Sequence, residues 1–450
     1  NAADVLDPDN HSLAVDLNNS SNLNLNGNNQ TIDDLDTEVN TTLDLGSALL
    51  TVVQPVGTSQ IDGLVQGTDG SFYFDGVDAL STFILSHANT YTGGTTIAGG
   101  TLYLQDSAAA GTGTITVEGS EIQYLPGINV ANTVDLQNDA DLRVDGVLAN
   151  TATQSGDITQ TGGTFGITKV GGGTLVLSGN NSFQGPINIE DGRLSAQSAN
   201  ALGGALVATY GDVNLDGGIL AIDNNNFTLN NNVNLLQDGL IQYSANSVSV
   251  LNGIDTNGFV LTIENTDNAD EDFNVNTAIT GAGSVVIEND TEVFYNVANS
   301  YTGGTTVGTS STLHVSNAVN ALNGTGDVTL NNGSVLDINV AGTYDNNVDL
   351  NGTSSTLNLD ADSTFSGLFT SDDAIELLNV TGAGDLMLTG LSTGFAGDLN
   401  LNGSGTTTIT APAQFGGIDS LITNSSTSTL IVNGIAGGSV LNNGILYGTG

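Results

Sequence analysis

The sequence predicts an all-β fold, a solenoid of roughly 20 short coils. Three observations predict it. The segment Asn89-Thr90-Tyr91-Thr92-Gly93-Gly94-Thr95-Thr96-Ile97 returns almost unchanged as Asn299-Ser300-Tyr301-Thr302-Gly303-Gly304-Thr305-Thr306-Val307, and self-similarity at a distance marks a chain built by stacking equivalent units. Thr, Val, Leu and Ile alternate at period two in runs of three to six, so each strand has one apolar and one polar face. Glycine (60 of 450 residues) and asparagine punctuate the runs where the chain must turn sharply.

The elements follow in order. Residues 10–51 contain the strands Leu13-Ala14-Val15-Asp16-Leu17, Leu23-Asn24-Leu25 and Leu43-Asp44-Leu45 between Asn-rich turns. Residues 47–84 are less regular and more apolar, with Ser71-Phe72-Tyr73-Phe74 as the densest aromatic cluster. Signature repeats then lie near residues 86–104, 169–203, 296–324 and 382–409, around Tyr91, Phe183, Tyr301 and Phe395. These anchors are 92, 118 and 94 residues apart. At about 20 residues per coil, four to six coils separate one signature from the next, and divergent coils such as Ser355-Thr356-Leu357-Asn358-Leu359 fill the intervals. Two signatures are led by a glycine-rich turn and a strand, as in Gly171-Gly172-Gly173-Thr174-Leu175-Val176-Leu177. Leu175 and Leu177 are expected inside and Val176 outside, so that Val176→Asp would be nearly silent. Segments such as residues 316–324 read as corner loops. No linker divides the chain, which is expected to be one continuous array over residues 1–450, a rod on the order of 100 Å long at about 4.8 Å per strand.

The order glycine-led strand, Asn, aromatic, Gly, Thr, strand, Gly-x-Leu resembles the passenger-associated β-strand repeat of autotransporter proteins. Lys169 to Gly203 is the fullest match, and the four units cover a quarter to a third of the chain. The resemblance implies a right-handed parallel β-helix displayed outside a Gram-negative cell, an adhesin or fibre-forming segment. It carries no catalytic residue. Phe183, Phe395 and Pro186 depart from the pattern and predict locally irregular coils.

Composition narrows the partners. Three basic residues face 48 acidic ones, a net charge of −45. Nucleic acid is excluded, since only Arg143, Lys169 and Arg193 could meet phosphate. An anionic membrane surface is excluded for the same reason, and no run of about 20 apolar residues spans a bilayer. There is no cysteine, hence no disulfide framework. Asn side chains stacked in register are expected to hydrogen-bond into ladders. The strand rhythm continues through Leu430-Ile431-Val432 and Ile445-Leu446-Tyr447, so head-to-tail association into filaments is expected. A host receptor or glycan is the other expected partner.

Candidate chemistry is sparse. His11, His87 and His314 are far apart and read as surface or packing residues. No Gly-x-Ser-x-Gly elbow in an α/β setting points to a hydrolase, and none of the glycine-rich turns carries the lysine of a phosphate loop. The chain is therefore read as non-enzymatic. The alternative is a β-helical glycan-active enzyme, which needs only two suitably spaced carboxylates. No cofactor is expected, with one exception. Asp267, Asp270, Glu271 and Asp272 crowd four carboxylates into six residues, the oxygen-rich composition that calcium takes.

Overall fold

The computed structural model describes residues 13–204, 210–244, 246–267, 271–317, 321–322, 326–417 and 420–449. Among these, the regular elements are short β-strands, no α-helix occurs, and the strands pair in parallel. Parallel neighbours need a long return connection. Here the return is one whole coil: Thr82, Thr101, Glu121 and Asp141 stand on successive rungs. The chain is a parallel β-solenoid of about 20 turns. It divides into two compact units, Asn1–Ala221 and Ile222–Gly450.

In the first unit one sheet orders the strands Asp34–Thr37, Thr58–Ile61, Thr82–Leu85, Thr101–Leu104, Glu121–Tyr124, Ala140–Arg143, Ile167–Val170 and Ile187–Ile189. Its inward positions form a column through Phe83, Leu102, Ile122 and Leu142, all fully buried. Burying each such side chain contributes roughly 1.5–3 kcal/mol. The aromatic cluster anticipated at residues 71–74 lies at the centre of a packed group: Phe72 meets Phe83 and Tyr91 at 5.3 Å between ring centroids, and Phe74 stacks on Phe83 at 4.9 Å.

The second unit repeats the plan. Its longest sheet runs from Phe227–Leu229 through Ser247–Val250, Asp272–Val275, Glu292–Tyr295, Thr312–Val315 and Val335–Ile338 to Ser439–Asn442. Val248, Phe273, Val293, Leu313 and Leu336 make the inward column. Outside, amide ladders run from coil to coil as expected: Asn317 Nδ2 donates to Asn296 Oδ1 at 3.2 Å, and Asn296 Nδ2 donates to Asn276 Oδ1 at 2.9 Å. The first unit has its own, Asn214 to Asn188 at 2.8 Å.

Two expectations are corrected. Val176 faces away from Leu175 and Leu177 but is only 5% exposed, and Ser195 on the next rung is 0% exposed. The outer face of the strand Thr174–Leu177 is covered, so alternation alone does not place Val176 in solvent. Pro186 does not disturb its coil either. The position needs no N–H for the ladder, because the Pro186 carbonyl accepts from Ile167 N–H at 3.0 Å and Ile187 N–H continues to Asp212 O at 2.8 Å. Proline is tolerated at the start of a strand for that reason.

Candidate functional site

The recurring signature folds into one kind of corner, built from four residues. The first is the asparagine two places before the aromatic. Asn89 accepts from Val65 N–H at 2.8 Å and donates to Ala109 O at 2.7 Å. Asn181 does the same with Ile158 and Ala201, both at 2.7 Å, and Asn299 with Ile279 at 2.9 Å and Ala321 at 3.0 Å. Each of these amides is at most 2% exposed and ties its own coil to the coil before and the coil after. In the fourth copy Ser392 Oγ takes over the accepting half, from Phe369 N–H at 2.9 Å.

The second residue is the buried aromatic. Tyr91 hydroxyl pairs with Thr95 Oγ1 at 2.6 Å, and Tyr301 hydroxyl with Thr305 Oγ1 at 2.5 Å. Burial pushes the Tyr301 phenol up to about 12, with the hydrogen bonds to Thr305 and Tyr295 pulling the other way. The third is the glycine two places on. A Cβ there would lie 2.5 Å from Asp69 O at Gly93, 2.2 Å from Phe165 C at Gly185 and 2.5 Å from Glu376 O at Gly397. Backbone of the previous coil occupies the space, so only glycine fits. The fourth is the alanine that receives the amide: Ala109, Ala201 and Ala321 are buried.

Lys169 is the residue that sequence reasoning read only as a charge. It occupies an inward rung between Leu142 and Ile189 and is 0% exposed. Its three ammonium protons match three carbonyls at the corner: Val170 O at 2.9 Å, Gly171 O at 2.5 Å and Asp191 O at 3.1 Å. Burial pulls the ammonium down to about 8, against the attraction of Asp191. No sequence signal separates such a lysine from a surface one except its even spacing from Ile167 in the strand.

The histidines are not brought together. His11 lies outside the described residues and His87 is exposed. His314 projects from the outer face of its strand, stacked on Phe294 at 4.1 Å with a 2° interplanar angle. Its Nδ1 lies 2.7 Å from Asp337 Oδ2, and its buried Nε2 lies 3.7 Å from Glu292 Oε2 with no hydrogen-bond partner. Burial raises the Asp337 carboxyl, but hydrogen bonds from His314, Asn358 and Asn339 outweigh it and hold it below its usual value. Rung spacing predicts this meeting: Glu292, His314 and Asp337 come from three successive coils. Among the described residues no hydroxyl hydrogen-bonds Nε2.

Of the calcium candidates, Asp270 lies outside the described residues. Asp267 is exposed, Asp272 stands in the outer column between Ser247 and Glu292, and Glu271 is 5% exposed. Among the described residues no three His, Asp or Glu side chains gather into a metal-holding group. A recess of about 370 Å³ is lined by Asp16, Asp36, Glu38 and Asp62, with Leu17, Asn18, Thr37 and Gln60 and no aromatic ring. Burial, together with Asp34, Asp16 and Asp62, pushes the Asp36 carboxyl up against the pull of Gln60 N–H.

Comparison with known proteins bears on the corners. Residues 81–104 and 167–196 match the passenger-associated-transport-repeat family, so these two stretches are similar to that repeat. Over 181 residues, 34% of this chain, it is 30% identical to the adhesin BmaC autotransporter of Brucella suis biovar 1 (strain 1330). The chain spans about 5% of that relative's length. No solved structure matches it.

Proposed function

We propose that this chain, two stretches of which are similar to the passenger-associated transport repeat, is a non-enzymatic segment of a Gram-negative surface adhesin. One observation carries the reading: the repeat's own residues are spent inward. Asn181, Phe183 and Gly185 in the matched stretch, with Lys169, all act between coils. The repeat therefore builds a scaffold, and recognition falls to outward positions and loops, which scaffolds leave free to vary. A receptor or glycan on another cell is the expected ligand. Head-to-tail stacking of a second copy is part of the same proposal, since the backbone groups of a parallel coil can pair with a further strand.

The test is display of residues 1–450 by a Gram-negative cell. Antibody should label intact cells, and soluble chain should compete with their adhesion to host cells. Labelling only after permeabilisation, or adhesion unchanged by deleting the segment, overturns the reading. Light scattering that finds only monomer at high concentration removes the stacking.

A further inference from the structure

We propose that Glu271 and Asp267 hold a divalent, calcium-type cation at the edge of their coil. Three observations converge on Glu271. It is 5% exposed, and among the described residues its Oε2 has no hydrogen-bond partner. A buried, unpartnered carboxylate oxygen is costly and calls for a cation or a proton. Among the described residues the charged group that acts on it is another acid: the Asp267 carboxyl both hydrogen-bonds and repels it. No lysine or arginine occurs in residues 194–450, so the unit that contains Glu271 has no permanent countercharge of its own.

The surroundings hold the two acids in place. Asn265, 2% exposed, accepts the Asp267 N–H at 3.0 Å, and its own N–H donates to Thr291 Oγ1 at 2.7 Å. The fully buried Tyr243 hydroxyl donates to the Glu271 carbonyl at 3.2 Å. Thus the carboxylate stands on a fixed backbone while Asp267 opens to water, which would complete the coordination shell. All-oxygen ligands select a hard cation. An irregular pair of carboxylates topped up by water suits calcium, which accepts six to eight ligands in flexible geometry, better than magnesium, which demands a near-ideal octahedron. The expected affinity is in the range of about 10⁻⁴–10⁻³ M found for extracellular modules.

Calorimetric titration of the whole chain with calcium chloride, wild type against Glu271→Gln, tests this. Other acids bind calcium diffusely, so the readout is the difference between the two proteins. Wild type should bind one more equivalent, and calcium should raise its melting temperature. Glu271→Gln should lose both, with affinity at that site at least ~10-fold weaker. If Glu271→Gln fails to fold, Asp267→Asn on the exposed side serves instead. Terbium excited through tyrosine gives a local reading beside Tyr243, and calcium should displace it. Identical titrations for wild type and variant overturn the proposal. So does absence of binding together with stabilisation by acid, which would mean that the two carboxyls share a proton.

Discussion

Tyr91 and Tyr301 each have a threonine four places on, Thr95 and Thr305, whereas Phe183 and Phe395 have Ile187 and Leu399. The hydrogen bonds explain the pairing: a buried phenol needs an acceptor, and a buried phenyl needs none. Tyr91→Phe should therefore leave the Thr95 hydroxyl stranded and cost about 1–2 kcal/mol. Thr95→Val alone should cost a similar amount. The double variant should recover part of the loss, with a coupling of at least ~0.5 kcal/mol. Urea unfolding of the four proteins measures it, and simple additivity would sink the explanation. Asparagine at the same corner is less replaceable. Asn181→Ala would strand Ile158 N–H and Ala201 O together.

Strands show what alternation does and does not decide. Leu175 and Leu177 are inside, as period two requires, and Leu175 pairs with Ala152 and Leu194 in one buried column. Val176 lies on the other face and is buried as well. Leu175→Asp and Val176→Asp should then both destabilise by several kcal/mol, since each buries an unpaired charge. Thr116→Asp is the comparison: Thr116 is an outward rung between Thr96 and Asp135 and only half-buried, and its change should stay under about 1 kcal/mol. Limited proteolysis ranks the three. A Val176→Asp protein as resistant as wild type would mean that the cover over that face is loose.

Across the whole molecule, excess acid and a scarcity of base shape the pH response. Burial pushes the Asp36, Asp141 and Glu271 carboxyls up, helped by neighbouring acids. A carboxyl raised on folding favours the folded state below its unfolded value, and that gain is lost as pH rises through the folded value. Asp337 is lowered and acts oppositely: its contribution is present above the ordinary carboxylate range and is lost as pH falls through its lowered value. Lys169, held at about 8, favours its neutral form when folded, so stability should climb again from about 8 towards the ordinary lysine range. The expected melting profile falls as pH rises through and just above the ordinary carboxylate range, with an alkaline rise that Lys169→Met removes. Calorimetry from acid to alkaline pH checks it, and a profile with no fall on the acid side contradicts it. Added salt should shrink the acid-side difference, because part of it is repulsion among exposed carboxylates.

The all-β solenoid, its coil length, its inward leucines and the sites of its tight corners were written in the chain itself. Each follows from local rules: period two for a strand, glycine where backbone approaches backbone, repetition for stacking. The crowding of acids at residues 267–272 was equally plain. What the chain alone did not decide is which atom meets which across coils. Asn181 joins Ile158 to Ala201, His314 meets Asp337, Lys169 turns inward to three carbonyls, and Glu271, alone among the described members of its cluster, is buried. All of these depend on register between strands about 20 residues apart, and a slip of one residue would reverse every face. Stacking sets that register through the sum of many contacts, so it belongs to the tertiary structure and to no single segment.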